Sequence, residues 1–300
     1  MRLTIDSPET KRMVEDFFVQ YGIPLAIKIS QEGEVLDFGK KTGEYKGIEF
    51  ALSANGGIKM SFSPHKLYNE LNGVVNRVGK AMNHDRFTPD KLIDVFDWLT
   101  DNFALGLDNC YLHQIEFGVN LPDLGIETSK ILDYIISYKG KRSKEMETKG
   151  LGRGEKFVFG KYCVIKIYDK ALQNGLFGSI LRFEFKAKKI QPVEPIFGKH
   201  PVLSDLLLPH IWLQCGKKLL STLDLCIFND DFDNGLTVAQ RAKLAQWRNP
   251  KVWEAMKADK RCKQKKAFEK FIGAYGKLHI KQTLKAAIEN EVREMLDGYV

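Results

Sequence analysis

Hydrophobic residues change rhythm along this chain, and the change falls near residue 190. Upstream, apolar and polar positions alternate in short runs, as in strands with one covered face. LAIKIS (25–30), KMSF (59–62), YLHQIEFGVNL (111–121), KFVFGKYCVIKIYD (156–169) and SILRFEFK (179–186) have this form. Gly33, Gly39, Gly43, Gly47, Gly56 and Gly57 punctuate the first 60 residues, which read as short strands and turns. Two helices interrupt the strands. Thr88-Pro89-Asp90 sets a cap and a first-turn proline ahead of Leu92, Ile93, Phe96 and Leu99 on one face. Ile131, Leu132, Ile135 and Ile136 predict a second helix over 127–138. Residues 140–154 are charged and glycine-bearing without periodicity, and predict an exposed loop. KALQNGLFG (170–178) has the length of a hairpin connection between the strands flanking it.

Beyond Pro192 and Pro195 the period lengthens. Residues 201–220 and 238–296 are helical in pattern, through Leu244/Trp247, Val252/Met256, Phe268/Phe271/Ile272, Leu284/Ile288 and Val292/Leu296. Asn249-Pro250 and Gly276 mark breaks between helices. The expected class is α+β: a mainly antiparallel β-sheet body with flanking helices, then a helical C-terminal region. The expected division is a domain over 1–190 and a second region over 191–300.

Composition adds little to this and charge adds more. A 300-residue chain that is 44% hydrophobic and 28% charged is ordinary globular material. No apolar run reaches a membrane span, and charge stands where a signal peptide needs an apolar stretch, so the expectation is a soluble cytoplasmic protein without a membrane partner. Cys110, Cys163, Cys215, Cys226 and Cys262 are scattered and odd in number, which argues against a disulfide framework and a cysteine-rich zinc site. The net charge of +8 is unevenly placed. Residues 139–199 hold 15 basic and 6 acidic side chains, residues 240–300 hold 15 and 7, and the remainder is acidic. Two basic blocks on an acidic remainder point to a polyanionic partner.

Chemistry is sought among polar residues inside strands. The chain has no P-loop, no dinucleotide-binding glycine motif and no HExxH. His113 is a lone strand histidine, with Ile115 where a paired ligand would stand. Glu116 shares a strand face with Gln114, Gly118 and Asn120, and Glu184 shares one with Arg182 and Lys186. Tyr162, Lys166 and Tyr168 share a third, opposite Ile165 and Ile167. Pairing of the three strands would gather carboxylates, tyrosines and cations on one face. Two carboxylates can hold Mg²⁺ or Mn²⁺, cations can neutralise a phosphate, and a tyrosine can attack phosphorus. Cross-strand ion pairs on a solvated face are the alternative reading of the same pattern.

Four segments, in order, resemble the rolling-circle replication initiators of plasmids, the replication initiation factor (Rep_trans) family, and related phage replication proteins. They are MSFSPHKL (60–67), HQIEFGVN (113–120), VIKIYDKALQ (164–173) and LRFEFKAK (181–188). The resemblance implies a sequence-specific DNA endonuclease and strand transferase that nicks an origin through a 5′-phosphotyrosine, with Mg²⁺ or Mn²⁺. Carried over by position, Glu116 and Glu184 match metal-binding acids, and Lys166, Lys170 and Arg182 match basic positions. The sequence departs from the family at Asn120 and Lys186, where further acids are common. It departs again at Val158, where the nucleophile would fall. Tyr162 is the nearest replacement, with Tyr168 and Tyr138 as alternatives. Expected DNA contacts are Lys139, Lys141, Arg142, Lys144, Arg153, Lys186 and Lys188, and in the helical region Arg261, Lys263, Lys265 and Lys266. Partners implied are single- and double-stranded origin DNA, a host helicase and a second copy in a homodimer. Two other readings stay open: an origin-binding protein that does not cut, and a metal-dependent nuclease that uses water.

Overall fold

A computed structural model describes residues 1–27, 35, 40–54, 56–76, 79–145, 154–159 and 161–299. The chain begins β1 (Arg2–Ile5), α1 (Pro8–Gln20), β2 (Ala26–Ile27), β3 (Lys41–Tyr45), β4 (Ile48–Leu52) and β5 (Ile58–Ser61). Next come α2 (Pro64–Leu71), α3 (Pro89–Phe103), β6 (Cys110–Pro122), α4 (Thr128–Asp133), β7 (Ile135–Tyr138) and β8 (Lys144–Glu145). β9 (Gly154–Phe159), β10 (Cys163–Asp169), α5 (Lys170–Asn174) and β11 (Ile180–Ala187) follow. The rest is α6 (Glu194–Phe197), α7 (Pro209–Asp224), β12 (Cys226–Phe228), α8 (Val238–Arg248), α9 (Pro250–Ala255), α10 (Ala258–Tyr275) and α11 (Ile280–Met295).

The class is α+β. Hydrogen-bonded strand order is β2-β3-β4-β5-β1-β6-β11-β10-β9-β8, with β12 and β7 forming a separate pair. β11 therefore lies between β6 and β10, the neighbourhood expected for the three polar-faced strands. Compactness divides the chain elsewhere than residue 190. One unit holds 1–116, 186–214 and 295–300; the other holds 117–185 and 215–294.

In the first unit, strict alternation sends Leu3, Ile5, Ile48, Phe50, Leu52, Ile58 and Met60 to one buried face. Register aligns them, with Leu3 opposite Met60 and Met60 opposite Phe50. α1 and α3 cover that face: Phe18 and Phe103 stack edge-on against Phe50, with centroids 5.4 and 5.2 Å away. α1 replaces part of the strand-and-turn expectation. Ser7 caps it by accepting from the Thr10 amide, and Pro8 starts it.

In the second unit, Trp247, Trp253, Phe268 and Ile272 from α8–α10 bury together with Ile136 and Ile227 of the β7–β12 pair. That pair corrects the helix expected over 127–138. The helix stops at Asp133, and Ile135–Tyr138 becomes a strand opposite Cys226–Phe228. β-branched residues suit the strand, and pairing with a segment some 90 residues later outweighs local helical periodicity. β12 itself interrupts a region expected to be helical. The helix expected over 201–220 starts late, at Pro209, after a 3₁₀ turn at Leu203–Leu207, because a residue before proline is kept out of helical geometry. The connection at 170–178 is hairpin-like in joining neighbouring strands, but it contains α5, capped by Asp169 and stopped by Gly175 at φ 66°. Part of the loop expected over 140–154 is ordered as β8, and residues 146–153 lie outside the described ones. No helix among the described residues is long and apolar enough to cross a membrane.

Candidate functional site

Glu184 is the centre of the polar strand residues. Alternation in β11 buries Leu181, Phe183 and Phe185 on one face and turns Arg182 and Glu184 to the other. β10 contributes Lys166 and Tyr168. The Tyr168 hydroxyl donates to Glu184 Oε1 at 2.9 Å, and Lys166 Nζ donates to Oε2 at 2.8 Å. Arg182 Nε donates to Oε1 at 2.8 Å, while its Nη1 donates to Asn120 Oδ1 on β6 at 3.1 Å. Gly118 makes room: a Cβ there would overlap the Phe183 carbonyl oxygen and come within 2.8 Å of Glu184 Cγ. Gly118, which carries no charge, and Asn120, read as a lost acid, thus belong to the cluster. Their position on the Glu116 face was the signal for both.

Lys170 is buried at the start of α5. Its Nζ donates to Gln173 Oε1 at 2.7 Å and lies 5.7 Å from the Tyr168 ring centroid. The three candidate nucleophiles separate by exposure: Tyr162 is 37% exposed in the turn before β10, whereas Tyr168 and Tyr138 are 5% exposed. Burial also pushes the Tyr138 hydroxyl well above the ordinary tyrosine range.

Glu116 belongs to the first unit, where Lys186 Nζ sits 3.1 Å from its Oε2. Each expected metal-binding acid is therefore already paired with a cation. Mg²⁺ and Mn²⁺ need oxygen donors with a surplus of negative charge, and both Glu184 oxygens accept from cationic side chains. Among the described residues no group of three or more His, Cys, Asp or Glu side chains converges as metal ligands.

The expected DNA contacts fall into two kinds. Lys139 and Gly140, both at positive φ, form a tight turn in which Tyr138 and Lys141 exchange backbone hydrogen bonds of 2.9 Å. Arg261 clamps it. Its guanidinium donates to the carbonyls of Lys139 (2.8 Å), Met256 (2.7 Å) and Trp253 (3.1 Å). Arg261 is thus a structural clamp within its own unit, where three carbonyls hold the guanidinium in place. Arg142 pairs with Glu254 at 3.1 Å, and Lys265 pairs with Glu269 at 3.1 Å. Lys141, Lys144, Lys188, Lys263 and Lys266 are exposed. Arg153 lies outside the described residues.

A second polar cluster was missed. MSFSPHKL runs from β5 into α2, with Ser63 accepting from the Lys66 amide. This places His65 Nε2 2.7 Å from Asp85 Oδ1, and Asp85 also accepts from Asn69 (2.6 Å) and Lys91 (2.8 Å). Burial would raise the Asp85 carboxyl, but the hydrogen bonds from His65, Lys91 and Asn69 outweigh it and hold the group well below the ordinary range. The sequence signal was a histidine at the second helical position, too weak to single out.

No protein-family profile matches the chain, and no curated protein sequence matches it. Among solved structures it is similar to the di-domain ARO/CYC BexL from the BE-7585A biosynthetic pathway, with 9% identity, a TM-score of 0.18, and coverage of 86% of this chain and 98% of that one. A score that low carries no argument about fold or function.

Proposed function

We propose that the chain is a DNA nicking-and-joining protein of the rolling-circle initiator kind, with Tyr162 as nucleophile. One observation carries the choice of residue: Tyr162 is 37% exposed where Tyr168 and Tyr138 are 5% exposed, and it precedes the strand that delivers Lys166 to the charged cluster. The reaction is a transesterification. Tyr162 Oη attacks phosphorus and loses its proton, the bond from phosphorus to the 3′ oxygen breaks, and that oxygen leaves as a hydroxyl. The protein retains the 5′ phosphate as a phosphotyrosine, so the bond energy is kept for rejoining. Tyr162 stands in the turn just before β10, and Lys166 lies three residues into that strand, about 10 Å beyond its first residue. A strand of DNA lying along β10 would therefore meet Tyr162 and Lys166 through different phosphates.

The second reading, an origin-binding protein that does not cut, rests on a separate observation. The hydroxyl beside the charged cluster, Tyr168, is buried and donates to Glu184.

Incubation with supercoiled and single-stranded origin DNA in Mg²⁺, in Mn²⁺ and in EDTA, followed by a denaturing gel, separates the readings. A covalent adduct absent from Tyr162→Phe and present in Tyr168→Phe is the expected result. An adduct that survives Tyr162→Phe overturns the assignment. Binding without cleavage in every condition favours the second reading, and cleavage without an adduct favours a nuclease that uses water.

A further inference from the structure

The connection from β10 to β11 carries the most exposed large apolar side chain among the described residues: Phe177 is 98% exposed. The backbone is held on both sides of it. Before it, α5 ends at Gly175, at φ 66°; the Gly175 amide donates to the Leu172 carbonyl at 3.2 Å, and the Leu176 amide to the Ala171 carbonyl at 2.9 Å. That pair of bonds closes the helix end and fixes the path of the chain into Leu176, which is half-buried. After it, Gly178 takes φ 96°. The Ser179 carbonyl then accepts from the Asp123 amide at 3.3 Å, and the Ser179 hydroxyl shares a hydrogen bond of 2.6 Å with that of Thr128. The Phe177 ring therefore projects from an anchored stretch of backbone, bare on both faces.

We propose that Phe177 is a base-stacking residue: its ring packs against an unpaired base of a single DNA strand lying along β10. The inference rests on the DNA function proposed above and adds a second contact to it. Tyr162 stands before β10 and Phe177 beyond its other end, and the strand covers about 20 Å from Cys163 to Asp169. The stacked base is thus a few nucleotides away from the phosphate that Tyr162 attacks. A base suits the ring better than other partners. Every base has a π-face, so one aromatic side chain is enough to hold it. A protein hot spot needs a surround of contacts that exclude water, whereas Phe177 lies between Gly175 and Gly178, with the polar Gln173 and Asn174 close by in the chain. Membrane insertion scales with the apolar area buried, and a lone ring offers little. The connection also falls within the first basic block, residues 139–199, which favours a polyanion at encounter. Anchoring of the backbone means that little ordering is left to be done on binding.

The test uses the full chain and two single-stranded probes of equal length, oligothymidylate and an abasic oligomer with the same phosphodiester backbone. Phe177→Ala should bind oligothymidylate about 5- to 150-fold more weakly, the worth of one base–aromatic stack. It should bind the abasic oligomer as the wild type does. Phe177→Trp should keep the wild-type affinity within about threefold, and Phe177→Leu, apolar without a π-face, should lose it as Phe177→Ala does. Because the side chain is exposed, the thermal midpoints of these variants should stay within about 2 °C of wild type. Wild-type affinity for oligothymidylate in Phe177→Leu overturns the proposal, since an apolar contact would then suffice. Wild-type affinity in Phe177→Ala overturns it as well and leaves the nicking function standing. If the wild type binds no oligothymidylate, the proposal and the DNA reading fall together. Cosedimentation with phosphatidylserine vesicles, or self-association in analytical ultracentrifugation, that is lost in Phe177→Ala would give the ring to a membrane or to a second copy and overturn the proposal.

Discussion

A buried carboxylate with two cations is costly to unbalance, and Glu184 is such a residue. Removing the acid takes a counter-charge from both Lys166 and Arg182, at a site where little solvent screens the loss. Glu184→Gln keeps the shape and removes the charge. It should destabilise the protein by about 3–5 kcal/mol in denaturant unfolding. A loss under about 1 kcal/mol would mean that the cluster is solvated and behaves as a surface pair. Asp85 makes a second prediction of the same grain, through pH. Its folded value is depressed, so its contribution to stability is present above the unfolded carboxyl value of about 3.9 and is lost as pH falls from there toward the folded value. Asp85→Asn should therefore be less stable than wild type near neutrality, and the gap should narrow below about pH 4. A gap that does not change between neutral and acidic pH would remove the His65–Asp85–Lys91 cluster as its source.

At the scale of elements, the strands owe their faces to alternation and their neighbours to topology. β6, β10 and β11 show this together. Period two placed Glu184 with Arg182, and Lys166 with Tyr168, from sequence alone. It could not place β11 between β6 and β10, nor set Gly118 under Glu184. Gly118→Ala tests that placement. The new Cβ would press on backbone of the neighbouring strand, which cannot swing away as a side-chain tip can. The expected cost is about 1–3 kcal/mol of stability, with thermal unfolding as the readout. A neutral outcome would show that β6 and β11 part easily at that point. The helical elements divide in the same way. α3, α8, α9 and α10 were legible because each carries its own periodicity and punctuation in the form of Pro89, Asn249-Pro250 and Gly276. β7 and β12 were not, because each is a strand only by virtue of the other.

Over the whole molecule, the +8 charge resolves into cations with different work. The first basic block is shared between the units: residues 139–185 lie in one and 186–199 in the other. In the second unit its turn at Lys139-Gly140 is held by Arg261 of the other block, so two stretches that are distant in sequence form one local structure. Lys263, Lys266 and Lys270 instead lie on the face of α10 opposite Phe268 and Ile272, and all three are exposed. If they hold duplex phosphates, Lys263→Ala and Lys266→Ala should each lower duplex affinity and reduce the salt slope by about one, while changing stability by no more than about 0.5 kcal/mol. A filter-binding series over several salt concentrations checks this. Unchanged slopes would assign those lysines to solubility alone.

The sequence by itself determined the α+β class, most strand faces, the principal C-terminal helix breaks and the candidates for chemistry, because these depend on residues close along the chain. Tertiary structure decided which candidates meet. It exposed Tyr162 and buried Tyr168 and Tyr138, paired Glu116 with Lys186, committed Arg261 to three carbonyls, and set Lys166 and Arg182 on the two oxygens of Glu184. The physical reason is that burial and net charge belong to a neighbourhood in space. A lysine and a glutamate 18 residues apart are two surface charges on paper, and they become an ion pair only when adjacent strands place them within 2.8 Å.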